Sequence, residues 1–373
     1  MFRTTRSERN FMKKTVSLSL FSLILLLAQG CSKPQGHIVS MEVHGAHSVS
    51  CVDVDKDGDL DIFCAGYDDG KIYLLENIDG NRFEPHVLAQ NRGHATSVFA
   101  TDIDRDGDVD LLSTSKTRHD VLLHRNDENG EFSIHPIYSG PAGAYKIKAA
   151  DIDGDGLDDA ITAYFTDGRI LWHRNDGDGS FSTRPVAPAA GRIASIYPVD
   201  LDRDGDVDIV AAGWEKIIWH ENDGKGGFTT HYVFTKAKNA FSVFAVDLDK
   251  DGDIDIVASD YSDGIIRWFE NDSKENFESH IVDFTGAQVP SVIALDADRD
   301  GDIDIVAALK NKNSIVWYEN TGYEKFVPHT VTDSVKAVFC IVAADMDRDF
   351  KEEIVAASYG DDTISWYEIG EDR

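Results

Sequence analysis

Seven acidic nonapeptides hold the residues best suited to chemistry. They read DVDKDGDLD from Asp53, DIDRDGDVD from Asp102, DIDGDGLDD from Asp151, DLDRDGDVD from Asp200, DLDKDGDID from Asp247, DADRDGDID from Asp296 and a decayed DMDRDFKEE from Asp345. In D-x-D-x-D-G-x-x-D, the carboxylates at positions 1, 3 and 5 can converge on one point. Gly at position 6 permits a sharp turn, position 7 offers its main-chain carbonyl, and position 9 closes the cage. The candidate ligands are Asp53, Asp55, Asp57, Asp59 and Asp61, then Asp102, Asp104, Asp106, Asp108 and Asp110, then Asp151, Asp153, Asp155, Leu157 and Asp159. The next three loops add Asp200, Asp202, Asp204, Asp206 and Asp208; Asp247, Asp249, Asp251, Asp253 and Asp255; and Asp296, Asp298, Asp300, Asp302 and Asp304. Oxygen-only donors at this density suit Ca²⁺, about six ions in all. Asp345, Asp347, Asp349 and Glu353 make a weaker seventh set, because Phe350 replaces the turn Gly and positive φ is costly for it. Carboxylates held ~6 Å apart repel by roughly 0.7 kcal/mol per pair even at water's dielectric. Repeating that cost around the molecule points to a cation that offsets it.

Two rival loop types fit less well. An EF-hand needs a bidentate Glu at position 12, where this chain has Cys64, Ser113, Thr162, Ala211, Ala258, Ala307 and Ala356. An RTX β-roll would abut its nonapeptides, whereas here they start 49, 49, 49, 47, 49 and 49 residues apart. The metal reads as structural, since every ligand is spent on the ion and no loop stands out with open positions. There is no G-x-S-x-G elbow, H-E-x-x-H, CxxC pair or phosphate loop, so nothing marks an enzyme.

The regular period makes the chain an array of one supersecondary unit. Each unit reads as four short strands: one entering the acidic loop (Ser97-Val-Phe-Ala), one leaving it (Asp208-Ile-Val-Ala-Ala), a third such as Ile315-Val-Trp-Tyr-Glu, and a fourth such as Phe277-Glu-Ser-His-Ile-Val. Alternating and β-branched residues between Asp-Gly and Asn-Asp turns favour antiparallel hairpins, and four such strands per 40–50 residues predict a propeller blade. The ends predict closure. His86, His135, His231, His280 and His329 stand 16 residues before the next acidic loop, with Arg184 once in that place. His37 stands 16 residues before Asp53 with no earlier strands behind it, while the chain ends on the third strand Ile364-Ser-Trp-Tyr-Glu. An N-terminal strand that completes the last blade satisfies both open edges. The expected fold is all-β: seven blades of four antiparallel strands over residues 37–373.

These loops between β-strands resemble FG-GAP/VCBS repeats, the units of the integrin α-subunit propeller and of many bacterial secreted proteins. The resemblance covers roughly residues 37–373 and implies a seven-bladed propeller with calcium in the loops joining strands 1 and 2. Without a regular Phe-Gly/Gly-Ala-Pro signature, the blades look closer to the bacterial VCBS-type branch than to integrins.

On the opposite face, the residue 14 after each motif's first Asp is Tyr67, Lys116, Phe165, Trp214, Tyr261, Lys310 or Tyr359. Five aromatics and two lysines could ring the channel mouth, where aromatic faces suit sugars and the lysines suit acidic groups. Trp172, Trp219, Trp268, Trp317 and Trp366, with Leu74 and Leu123, fall at one third-strand position and read as interblade core. Cys51 and Cys64 lie on neighbouring strands, either bonded or as small buried thiols. The expected function is a non-catalytic, monomeric binding module for a glycan or an extracytoplasmic protein. A sugar-active enzyme such as a polysaccharide lyase, since similar calcium propellers occur in such families, and an envelope scaffold are the alternatives. With 67 Asp and Glu against 36 Lys and Arg, a formal charge of −31, nucleic acid is an unsuitable partner.

The first thirty residues read as an address. Thr15–Ala28 is an apolar run behind Lys13 and Lys14, too short to span a bilayer comfortably, and Met12 opens it better than Met1. Leu27-Ala28-Gln29-Gly30-Cys31 resembles a bacterial lipobox. That implies cleavage before Cys31, a diacylglycerol on its sulfur, residues 31–36 as a tether, and an envelope location reached through a lipid anchor.

Overall fold

A computed structural model describes residues 36–80, 82–127, 130–188, 191–274, 276–322 and 325–370. The expected signal peptide of residues 1–30 and Cys31 lie outside them. The described chain forms seven four-stranded antiparallel sheets. Blade 1 comprises Ala46–Val52, Asp61–Gly66, Lys71–Asn77 and Phe83–Ala89. Five more blades repeat that order along the chain.

The seventh blade is built from both ends. Its inner strands are Val338–Ala344, Glu353–Ser358 and Thr363–Tyr367, and Gly36–Ser40 pairs with the last of these as the fourth strand. Register puts His37 opposite Trp366 and Ile38 opposite Ser365. The His37 and Trp366 rings stack 3.9 Å apart with only 5° between their planes. The sequence-derived closure is therefore present, and it removes two strand edges that would otherwise offer unpaired backbone groups.

Burial follows position within the blade. Second strands such as Asp208–Gly213 are buried at every residue, because neighbouring blades cover both faces. Fourth strands such as Phe83–Ala89 form the wetter rim. Among the described residues, apolar side chains gather into eight clusters: one at each of the seven joints between adjacent blades, and a small eighth of Tyr145, Ala194 and Phe241. The joint of blades 7 and 1, for example, joins Val355, Ala357 and Trp366 to Val49, Ile62 and Leu75. Trp172, Trp219, Trp268, Trp317 and Trp366, with Leu74 and Leu123, are all buried at these joints. Flat, wide indole rings fill the wedge between sheets splayed about a common axis, where they contribute the largest apolar area per residue. Cys51, Cys64 and Cys340 are free thiols, so no disulfide braces blade 1.

Candidate functional site

One hydrogen-bond pattern shapes the acidic loops. In blade 1, Asp53 Oδ2 accepts from the Gly58 N–H at 2.9 Å, Asp55 Oδ1 from Asp57 N–H at 3.1 Å, and Asp57 Oδ1 from Asp59 N–H at 2.8 Å. The position-9 carboxylate acts as a latch: Asp61 Oδ2 accepts from Val54 N–H at 2.9 Å and Oδ1 from the third-strand Asn77 N–H at 2.7 Å. The same latch recurs at Asp110, Asp159, Asp208, Asp255 and Asp304. Burial pushes Asp61 up to about 6 and Asp110 and Asp255 to about 7, although two backbone donors pull each down.

Sequence reasoning found one left-handed residue per loop, and the structure has two. Gly58 at position 6 has φ 92°, and Lys56 at position 4 has φ 63°. The seventh loop keeps the shape despite its substitutions. Phe350 adopts φ 66° with its ring 88% exposed, its N–H reaches Asp345 Oδ2 at 3.0 Å, and Glu353 Oε2 accepts from Met346 N–H at 2.7 Å. A ring held out in water meets nothing, so its cost is confined to the backbone.

The donor set fits a hard cation. In all seven loops the other position-1 oxygen is buried and meets no donor among the described residues: Oδ1 of Asp53, Asp102, Asp151, Asp200, Asp247, Asp296 and Asp345. Carboxylate oxygens of Asp53, Asp55 and Asp57 lie within 4.8 Å of one another, as do those of Asp102, Asp104 and Asp110, of Asp151, Asp153 and Asp159, and of Asp200, Asp202 and Asp208. A buried anionic oxygen with no partner is unfavourable by roughly 1–3 kcal/mol or more. An oxygen-seeking divalent ion is the partner such a cluster suits.

Position 7 has a second role in its side chain. Lys56 of blade 1 reaches Asp108 of blade 2 at 2.6 Å, Lys250 reaches Asp302 at 2.5 Å, and Arg203 reaches Asp253 at 3.8 Å. Arg348 of blade 7 reaches Asp59 of blade 1 at 2.9 Å and donates to the Gly58 carbonyl at 2.7 Å, so the chain of pairs crosses the closing joint. Each links position 4 of one loop to position 7 of the next.

The third strands supply residues that the sequence reading did not single out. Glu76, Glu221, Glu270 and Glu319 meet the fourth-strand His86, His231, His280 and His329 at 2.7, 2.7, 2.9 and 2.6 Å. Burial first, then neighbouring carboxylates that include Glu221 and Glu270, push Asp202 and Asp249 above the usual range. The equivalent residues of blades 2 and 3 are Arg125 and Arg174. Arg125 Nη2 lies 2.7 Å from Asp104 Oδ2, while Arg174 Nε and Nη2 lie 2.5 and 2.7 Å from Asp153 and Asp155. A count of 23 residues from the first Asp would have exposed this Glu-or-Arg position in six blades. The remaining series members differ: His135 pairs with Ser133, and Arg184 covers the Trp172 ring.

On the other face six of the seven ring residues are fixed by backbone. The N–H groups of Tyr67, Lys116, Trp214, Tyr261, Lys310 and Tyr359 donate to Gly45, His94, Arg192, Asn239, Gln288 and Ala337 carbonyls at 2.8–3.3 Å. Tyr67 and Tyr359 meet edge to face at 6.1 Å, Lys310 lies 5.4 Å from the Tyr359 ring, and Lys116 lies 5.8 Å from the Tyr67 ring. Phe165 packs on Tyr145 at 5.2 Å. Trp214 is 40% exposed and covered by Arg192 at 4.6 Å. These residues thus cap the channel with one side and face water with the other.

An FG-GAP-like repeat is recognised six times in register with these loops, over residues 53–113, 102–162, 151–211, 204–258, 247–307 and 296–356. The chain belongs to the FG-GAP-like repeat family. No curated protein matches it. Among solved structures, an Agrocybe aegerita lectin that recognises non-reducing terminal N-acetylglucosamine is similar at 19% identity, over 87% of this chain and 86% of that one, with a TM-score of 0.60. BBS1N in its complex with ARL6DN, soaked with lead, matches at 12% identity over 89% and 95% with a TM-score of 0.64. The WD40 propeller domain of Doa1 matches at 13% over 90% and 97%, also with 0.64. At these identities the likeness is one of fold alone.

Proposed function

We propose that this FG-GAP-like propeller binds calcium in its acidic loops and acts as a non-catalytic binding module in a bacterial envelope. The observation that carries the reading is the set of seven buried position-1 oxygens without a protein donor. Asp53 and its equivalents would hold the ion with the carboxylates at positions 3 and 5, the position-7 carbonyl and the latch carboxylate. The bound ion supplies charge neutralisation and ties the first strand to the second; it supplies no reaction. The partner face is the opposite one, where aromatic planes and the Lys116 and Lys310 ammoniums stand together. A glycan or an extracytoplasmic protein with acidic groups suits that surface, and the propeller of the N-acetylglucosamine-binding lectin gives the glycan arm its precedent in fold. The lipobox-like stretch ending at Cys31 supports a lipid tether.

The test pairs calcium removal with ligand capture. Elemental analysis should find calcium in the purified protein, and EDTA should lower its melting temperature by several degrees; no calcium and an unchanged Tm would overturn the metal assignment. A glycan array and a protein pull-down, run with the wild type and with Trp214→Ala/Tyr261→Ala, should lose the same ligand in the variant. Full retention of every ligand would remove the face from consideration.

A further inference from the structure

The axis of the propeller contains a blind cavity of about 370 Å³, lined by the first strands of the blades. Its floor is a closed aromatic quartet. His47 stacks on Phe339 at 4.1 Å and meets Tyr145 at 5.7 Å, Tyr145 meets Phe241 at 6.1 Å, and Phe241 meets Phe339 at 5.8 Å. The quartet lies under the aromatic face described above, so the cavity opens on the acidic-loop side, where Glu352 of the seventh loop reaches its wall. It is a separate site from the proposed partner face.

Blade 3 breaks the symmetry of the wall. Five residues before the acidic motif, the other blades have Ser, or Cys340 in blade 7, but blade 3 has Lys146. Three residues before it, blade 3 has Lys148 where the others have Ser, Ile, Val or an aromatic. Residues two apart on a strand share a face, so both ammoniums enter the same space. Lys148 Nζ lies 4.7 Å from the Phe99 ring centroid and 5.9 Å from that of Tyr197. Burial, and then Lys146, push its pKa down to about 8, so it remains mostly charged at neutral pH. Among the described residues neither lysine has an ion-pair partner, in a chain where acidic residues outnumber basic ones by 67 to 36. Among the described residues Glu352 is the one carboxylate of the cavity wall, and it is exposed at the rim.

Two like charges in a confined space repel and lose hydration, and an anion relieves both effects. Ser48, Ser195, Ser242 and Ser291 add hydroxyls, while Phe99 and Tyr197 add aromatic faces on either side of the Lys148 ammonium. The volume lies within the range of small-ligand pockets and matches one sugar-sized molecule. We infer that this cavity is a binding site for a small organic anion of the sugar-acid class, its carboxylate held by Lys146 and Lys148 and its ring set against the aromatic wall.

The experiment is calorimetric titration of the full chain, in calcium-containing buffer, with D-glucuronate, D-glucose and inorganic phosphate. Glucuronate should bind at least tenfold more tightly than glucose, and Lys148→Met, which keeps the stem volume, should weaken it at least tenfold. Glucuronate no better than glucose, or unaffected by Lys148→Met, would overturn the site. Phosphate bound more tightly than glucuronate through the same lysine would overturn the sugar-acid class. Should Lys148→Met not fold, amine acylation mapped by mass spectrometry on the wild type decides: glucuronate must slow labelling of Lys148, and an unchanged rate refutes the inference.

Discussion

Blades 2 and 3 carry their own cation, and calcium should bind them more weakly than the blades with Glu. Arg174 lies 2.5 and 2.7 Å from the carboxylates of Asp153 and Asp155, and Arg125 lies 2.7 Å from Asp104. An ion held at ~2.4 Å from those oxygens would sit about 5 Å from the guanidinium. A +2 and a +1 charge at that distance repel by about 1.7 kcal/mol at water's dielectric, roughly 15-fold in affinity. If the arginine swings out instead, it gives up two partly exposed ion pairs, about 1 kcal/mol together or roughly fivefold. Either route weakens the site. Replacing both residues in Arg125→Gln/Arg174→Gln should therefore tighten two sites by about 5- to 15-fold. Without metal the same change leaves carboxylates facing each other, so the variant should melt below the wild type in EDTA and recover in calcium. Isothermal titration of metal-stripped protein reads the first effect as two extra sites in the tight class. Calcium binding with an unchanged number of tight sites, and no crossover in melting, would refute the reasoning.

Two further expectations follow from single residues. Buried His173, hydrogen-bonded to Thr162 and Thr183 at 2.8 Å, has its pKa pushed by burial from 6.5 to about 3. The unfolded chain takes up a proton below pH 6.5 that the folded chain refuses, so this contribution to stability is lost as pH falls, by about 1.4 kcal/mol at pH 5.5. His173→Gln should lose that much less than the wild type between pH 7.5 and 5.5 in urea titrations with calcium present; equal losses would show that the imidazole is not held neutral. For the anchor, Cys31→Ala expressed in bacteria should move the protein from the membrane to the soluble fraction, and continued membrane association would contradict lipidation.

Much of the architecture was legible in the chain because a repeat exposes its own register. Seven aspartate-rich motifs at a nearly constant spacing gave the blade count, and the unmatched His37 strand and the missing last strand implied each other. The third-strand tryptophans showed a core position because one residue type recurred at one place. The decayed seventh loop was harder to read, since the cost of Phe350 depends on whether its ring meets anything. Its exposure to water, which only the folded loop reveals, removes that obstacle.

The amino-acid order alone determined the repeat, the closure and the oxygen-rich loops, because these rest on local spacing and on the pairing of complementary ends. Tertiary structure decided what lies between blades. The Lys56–Asp108 and Arg348–Asp59 pairs and the approach of Lys148 to Phe99 and Tyr197 around the axis join groups that are distant along the chain. Charge acts through space, and the seven-fold ring sets those distances.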